Sequence, residues 1–205
     1  MIELLCHLLD GLNLTGDVNR DVPVFLNYHS RPKTALHCAA VAAEARRIAD
    51  IAEVPGSLAE LGGWLHDVSA VFPPIERLPV ARALEIEVLP EEEAFPFIIH
   101  QKLSAVMARE LFGVRDPAVL GAIGCHTTLR TNATDLDKVV FIADKIAWDQ
   151  PGVPPYHEEL LAALDRSLDE AALCYLRYLW QRRDTLQVVH PWFRAAYEQL
   201  AGRLS

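Results

Sequence analysis

Apolar residues recur at three- and four-residue intervals over almost the whole chain, and no run keeps the two-residue alternation of a strand. The pattern predicts an all-α protein. Between Pro55-Gly56 and a turn at Phe72-Pro73-Pro74, the residues Leu58, Leu61, Trp64, Leu65 and Val68 fall on one helical face. Ser57 followed by Glu60 has capping-box spacing and puts the expected start of that helix near Leu58. His66 and Asp67 lie in its last turns.

The same reading places further helices at residues 2–9, 20–28, 32–52, 79–87, 93–112, 117–126, 135–147, 157–164, 167–183 and 190–203. Pro32 suits the first turn of the third of these, and Asp116-Pro117 and Thr134 mark two more starts. The acidic Glu91-Glu92-Glu93 run suits the beginning of the 93–112 helix, and Gly113 its end. His37, Val41, Glu44 and Ile48 share one side of their helix; Phe97, His100, Ser104 and Met107 share a stripe of theirs. The stretch Trp148–Tyr156 holds three prolines and a glycine and reads as a loop. The architecture expected is a single helical domain, with an N-terminal extension over 1–29, a core over 30–150, and C-terminal helices over 151–205 packed on it.

Composition narrows the function. A chain of 205 residues that is 51% hydrophobic can bury a sizeable core. Its net charge of -9 argues against a nucleic-acid binder driven by a basic surface, so phosphate ligands would need metals and a few local cations. Four scattered cysteines without a Cys-x-x-Cys pair exclude zinc-ribbon and redox motifs. No apolar stretch approaches the ~20 residues that span a bilayer, and the expectation is a soluble cytoplasmic protein with no membrane partner.

An imidazole beside a carboxylate at the inner end of an apolar helix is costly to bury unless partnered. A hydrogen-bonded His–Asp pair is one solution, and a divalent metal is another. His37, His66, Asp67, His100, His126 and Asp144 each stand within or at the end of an apolar helix. Aimed inward, they would form an N/O ligand set suited to iron, manganese or zinc. Spacing alone does not show that they converge.

The ordered set H…HD…H…H…D resembles the HD superfamily of metal-dependent phosphohydrolases. More narrowly it is similar to the YqeK-like branch, through His126-Thr127-Thr128 and the segment Leu136-Asp137-Lys138-Val139-Val140-Phe141-Ile142-Ala143-Asp144-Lys145-Ile146. The resemblance covers roughly residues 30–150 and implies an HD-type helical fold with the metal site between inward-facing helices. It further implies hydrolysis of diadenosine tetraphosphate to two ADP at a dinuclear centre, iron first, with manganese or zinc as alternatives. His37, His66, Asp67 and Asp144 would hold one ion. Asp67 would bridge to a second on His100 and His126, and a metal-activated hydroxide would attack phosphorus.

Asp67 and Lys145 are thus the candidate catalytic residues, and Thr127, Thr128, Arg130 and Lys33 are candidates for binding a small-molecule nucleotide. Three departures touch the substrate side. The branch's lysine shortly after the HD pair is absent from Val68-Ser69-Ala70-Val71. Its glycine after His-Thr is Leu129, and its Glu-Pro-x-Arg segment is Trp148-Asp149-Gln150-Pro151. Two other readings stand beside the first: a phosphatase acting on nucleoside monophosphates or other esters, and an HD module that binds nucleotides without turnover. The leucines 160, 164, 168, 173, 176 and 179 could face a second copy in a homodimer or the chain's own core.

Overall fold

The computed structural model describes residues 3–204, and the first residue of the helix expected at 2–9 lies outside them. Every regular element among the described residues is helical. In order they are α1 (Glu3–Cys6), α2 (Val18–Tyr28), α3 (Pro32–Ile51), α4 (Gly56–Leu65), α5 (Pro74–Ala83) and α6 (Pro90–Ala94). Then follow α7 (His100–Glu110), α8 (Pro117–Cys125), α9 (Asp135–Ile146), α10 (His157–Leu164), α11 (Leu168–Trp180) and α12 (Pro191–Arg203). Short 3-10 turns cover His7–Leu9, Val68–Val71 and Arg183–Thr185.

The long helix α3 packs on both α4 and α9, and α4 also meets α8 and α9. Of these, α9 is the most deeply embedded, with every residue from Leu136 to Ala143 buried. One hydrophobic core runs from Leu5 through Phe25, Ile48 and Phe141 to Leu200, and so takes in all three segments expected from sequence. Each large side chain buried there contributes roughly 1.5–3 kcal/mol. Leu160, Leu164, Leu173 and Leu176 are buried in this core, and Leu168 and Leu179 pack against it. The chain's own interior therefore occupies the apolar face that could have met a second copy.

Local chemistry explains the starts and stops. Asp116 and Ser167 accept hydrogen bonds from backbone N–H groups two and three residues on, and Thr134 with Asp137 forms a full capping box on α9. The box expected at Ser57 does not form. The Pro55 carbonyl already accepts from Leu58 and Ala59, α4 starts at Gly56, and Glu60 turns outward to Arg46 at 2.7 Å. The helix expected at 93–112 is two helices, because Pro96 lacks an N–H and forces Phe95 out of helical geometry. Phe97 is consequently in the turn, and His100 opens α7. The helix expected at 79–87 runs instead over Pro74–Ala83: Pro74 is its first-turn proline, and it stops before Glu85, which has φ of 56°. The helix α4 ends at Leu65, so His66 is its C-cap and Asp67 lies beyond it, in the turn.

Two glycines let α4 dock closely. A Cβ on Gly63 would stand 2.6 Å from Ala42 Cα and 2.7 Å from Ala42 N, both backbone atoms of α3. A Cβ on Gly62 would meet Val140 Cγ2 of α9 at 2.8 Å. We expect Gly63→Ala to destabilise the fold by about 3 kcal/mol, since backbone must move. Gly62→Ala should cost less, because a valine rotamer can yield. Urea unfolding of the two variants beside wild type checks the order, and a neutral Gly63→Ala would contradict the close approach.

Candidate metal centre

The turn after α4 and the ends of α3, α7, α8 and α9 bring His37, His66, Asp67, His100, His126 and Asp144 to one place. His66 Nδ1 donates to the Gly63 carbonyl at 2.8 Å, His100 Nδ1 to Phe97 at 2.5 Å and His126 Nδ1 to Ile123 at 2.9 Å. In each case the acceptor is the carbonyl three residues earlier. A carbonyl cannot donate, so Nδ1 carries the proton and Nε2 points inward with its lone pair, when the ring is neutral.

Around these nitrogens the set divides in two. His37 Nε2 lies 3.2 Å from His66 Nε2 and 3.0 Å from Asp144 Oδ1, and His66 Nε2 is 3.5 Å from the same oxygen. On the other side His100 Nε2 is 3.0 Å from His126 Nε2. Asp67 stands between, with Oδ2 3.8 Å from His66 Nε2, and Oδ1 3.3 Å from His100 and 3.7 Å from His126. Thr127 Oγ1 approaches His100 and His126 Nε2 at 3.2 and 3.1 Å.

Two observations bear on whether a cation fits. His100 and His126 face each other through lone pairs at 3.0 Å, which is repulsive with nothing between them. Two nitrogens each about 2.1 Å from one ion lie about 3 Å apart when their bonds meet near a right angle. Asp67 Oδ1 is buried and accepts no hydrogen bond. The groups His37-His66-Asp67 and Asp67-His100-His126 each gather ligand atoms within 4.8 Å, so the donor set fits a divalent cation on either side of Asp67.

Electrostatics agree with that fit. Burial pushes the Asp67 carboxyl up, but His66, His100 and His126 hold it well below the usual carboxylate range. Burial likewise works against the Asp144 anion, and Lys145, His37 and His66 hold it ionised. Burial, with His66 and His100 beside it, drives His126 well below the ordinary imidazole range and keeps it neutral. Burial also opposes charge on His66, where Asp67 and Asp144 prevail and raise it. The field that would hold a proton there would hold a cation as well. Burial opposes the Lys145 ammonium, and Asp144 at 2.5 Å more than restores it.

The remaining candidates separate. Lys145, Thr127 and Thr128 line a cleft of about 400 Å³ that opens onto His37, Asp67 and Asp144. Thr128 is committed to Gln101 and to the Leu129 carbonyl. Arg130 and Lys33 are absent from the cleft wall: Arg130 makes a two-point pair with Asp137 at 3.0 and 3.1 Å, and Lys33 is exposed on α3. Leu129 occupies its left-handed backbone position at φ 57°, and its fully buried side chain offsets that strain. Trp148, Asp149 and Gln150 of the divergent segment line the cleft with Tyr156 and Tyr175. Cys125 is buried, and burial pushes its thiol up.

His190 is not among the residues that the sequence singles out. It is buried, caps α12 by accepting the Trp192 N–H, lines the cleft, and stands 3.5 Å from the wholly buried Glu92. Glu92 in turn accepts from Lys102 at 2.8 Å and from the Leu89 N–H at 2.9 Å. The signal in the sequence was His190-Pro191, a cap followed by a first-turn proline.

This helical scaffold with a His-Asp pair at its centre defines a metal-site class, and comparison with known proteins identifies the family. The model of the HD domain matches residues 34–149. The chain belongs to the HD domain family. It is 46% identical over 149 residues to an "Uncharacterized protein in pepC 5'region" of Lactococcus lactis subsp. cremoris, covering 73% of this chain and 75% of that one. It is 28% identical over 159 residues to a "Bis(5'-nucleosyl)-tetraphosphatase, symmetrical" of Halalkalibacterium halodurans, covering 74% and 81%. The crystal structure of a predicted HD superfamily hydrolase involved in NAD metabolism from Clostridium acetobutylicum superposes with a TM-score of 0.81. It is 24% identical and covers 89% of this chain and 96% of that one, a likeness of fold.

The buried Glu92 cluster makes a pH prediction. Burial alone would raise this carboxyl above its ordinary 4.5, yet His190, Leu89 and Lys102 hold it lower. Its contribution is therefore complete above that ordinary value and is lost as pH falls through the lower folded value. We expect Glu92→Gln to cost about 3 kcal/mol at neutral pH. In urea titrations the gap between variant and wild type should narrow from pH 5 toward pH 3. A gap independent of pH would remove the ionic account.

Proposed function

We propose that the protein is a divalent-metal-dependent hydrolase of nucleotide phosphoanhydrides, with diadenosine tetraphosphate cleaved to two ADP as its leading reaction. The observation that carries this is Asp67, one carboxylate set between two facing pairs of imidazoles. In this reading His37, His66, Asp67 and Asp144 hold one ion, and Asp67, His100 and His126 hold the other. Iron is the first candidate, and manganese and zinc suit the same donors. Bound there, the ions supply Lewis acidity toward phosphate oxygens and lower the pKa of water.

The chain's own residues do the rest. The three Nδ1–H to carbonyl bonds fix the ligand rings, so little reorganisation is needed on binding. Lys145, charged and 8% exposed, offers an ammonium to a phosphate at the Asp144 end of the cleft. Thr127 places a hydroxyl beside His100 and His126, where it can donate to a phosphate oxygen. Trp148, Tyr156 and Tyr175 present aromatic surface against which a base can pack, which makes Asp149 and Gln150 neighbours of the nucleoside. The name of the Halalkalibacterium relative supports the tetraphosphate substrate.

One observation favours a second reading. About 400 Å³ is near the lower end of ligand-pocket volumes, the scale of a single nucleotide, which suits a nucleoside monophosphatase as well. Relative kcat/KM on diadenosine tetraphosphate and on AMP decides between them.

Protein prepared without chelator should carry about two equivalents of metal by elemental analysis. Asp67→Ala should lose most of both, with activity falling by at least about a hundredfold. Chelation should abolish turnover and iron or manganese restore it. Full metal retention in Asp67→Ala would sink the bridging assignment. A metal-loaded wild type that cleaves no nucleotide would sink the enzymatic reading.

A further inference from the structure

The turn that carries His126 is held from two sides. Lys145 Nζ, on α9, donates to the His126 carbonyl at 3.3 Å. From the other side comes Gln101, the residue after His100 on α7, with its side chain wholly buried. Gln101 Oε1 accepts from the Thr127 N–H at 3.1 Å and from the Thr128 N–H at 3.3 Å. Its Nε2 donates to Thr128 Oγ1 at 3.2 Å, and that hydroxyl donates to the Leu129 carbonyl at 2.9 Å. Both ends of the amide are thereby engaged.

A buried amide is stable only when its donors and its acceptor are met, and here one short turn meets them. Among the described residues, every hydrogen bond of the Gln101 side chain goes to Thr127 or Thr128. The Ile123 carbonyl, which a continuing helix would offer to the Thr127 N–H, serves the His126 ring. Gln101 gives that N–H an acceptor, so the chain leaves α8 with the ring still folded over its last turn. The turn then enters Leu129 in left-handed backbone at φ 57°, which ends helical geometry.

His100 and Gln101 are consecutive, so one stretch of α7 supplies a ring to the cluster and a clamp on the segment that carries the opposing ring. His100 Nε2 and His126 Nε2 stand 3.0 Å apart, with the Thr127 hydroxyl within 3.2 Å of both. The His100 carbonyl in turn accepts from Ser69 Oγ at 2.9 Å, two residues beyond Asp67. We propose that Gln101 is a positioning residue for the second ion: it sets His126 and the Thr127 hydroxyl against His100. The inference rests on the dinuclear reading of the centre and deepens it, by naming a residue outside the ligand set that governs whether the second position fills. The other side is seated differently. His37 belongs to α3, Asp144 to α9 and His66 to the end of α4, and α4 presses on α3 and α9 through Gly63 and Gly62. Removing the Gln101 amide leaves those contacts in place.

Manganese titration of the chelator-stripped full chain, read by electron paramagnetic resonance, tests this without substrate. A single bound ion gives an isolated manganese spectrum, and an adjacent pair gives a spin-coupled one. Gln101→Leu should bind the first ion within about twofold of wild type and the second at least about tenfold more weakly. Gln101→Glu keeps an oxygen for both N–H groups and should bring the second ion back to within about threefold of wild type. Thermal midpoints are measured on every variant. Where Gln101→Leu does not fold, Gln101→Asn, whose amide is drawn back from the turn, takes its place and should show the same selective loss. Both ions weakened alike, an unchanged second ion, or a loss that Gln101→Glu leaves unrepaired overturns the assignment. A wild type that fills both positions but cleaves no nucleotide defeats the hydrolase reading, and the titration still judges Gln101. A wild type that never takes up a second ion defeats the dinuclear reading and the role of Gln101 together.

Discussion

The centre depends on one short hydrogen bond made three times. His66, His100 and His126 each spend Nδ1 on the carbonyl three residues back, leaving Nε2 no direction but inward. The bond is local, so it forms wherever a histidine caps or opens a helix with its ring folded over the adjoining turn. Its consequence is long-range. Three helix ends must converge before the lone pairs meet, and glycines let α4, which carries one of them, press closely on α3 and α9. Packing brings the rings together; the carbonyls decide what the rings present.

What they present would be unfavourable alone. Two carboxylates and four imidazoles share a small buried volume, with Lys145 the one ammonium among them. Moving such groups out of water costs several kcal/mol each unless their charges are matched. The carboxylates are matched in part by the rings and by Lys145, but Asp67 Oδ1 accepts no hydrogen bond and the His100–His126 pair faces lone pair to lone pair. Those two defects lie on one side of the cluster, and one divalent cation relieves both. The cleft beside it adds Trp148, Tyr156, Tyr175 and Phe193, aromatic surface next to the charged groups.

Much of this was legible in the chain. Helical periodicity fixed the fold class, and Asp116, Thr134 and Ser167 cap where short polar side chains should. Where the reading slipped, another local interaction competed. Pro55 preempted Ser57 as the start of α4, and Pro96 split a helix whose apolar stripe runs on regardless. The six polar residues on apolar helices were visible one by one, but spacing carries no information on whether separate helices point at one spot. The family resemblance supplied that expectation. Arg130 illustrates the reverse error: a cation near a motif in sequence is tied to Asp137 in space. His190 and Gln101 escape such a reading because they bind backbone or a distant carboxylate, and such partners leave no pattern in sequence.

The overall charge gives the cation in the cleft its significance. A chain of net charge -9 repels a polyphosphate at long range, and that repulsion is screened beyond about 8 Å in physiological salt. Recognition must then come from charges fixed within the cleft and its rim. Within the cleft Lys145 is such a charge, fixed by Asp144 and by the His126 carbonyl. A cation held by a carboxylate of its own has most of its field cancelled, as Arg130 has by Asp137. Lys145 shares Asp144 with His37 and His66. The placement of acceptors, more than the count of basic residues, determines where this acidic protein can receive a phosphate.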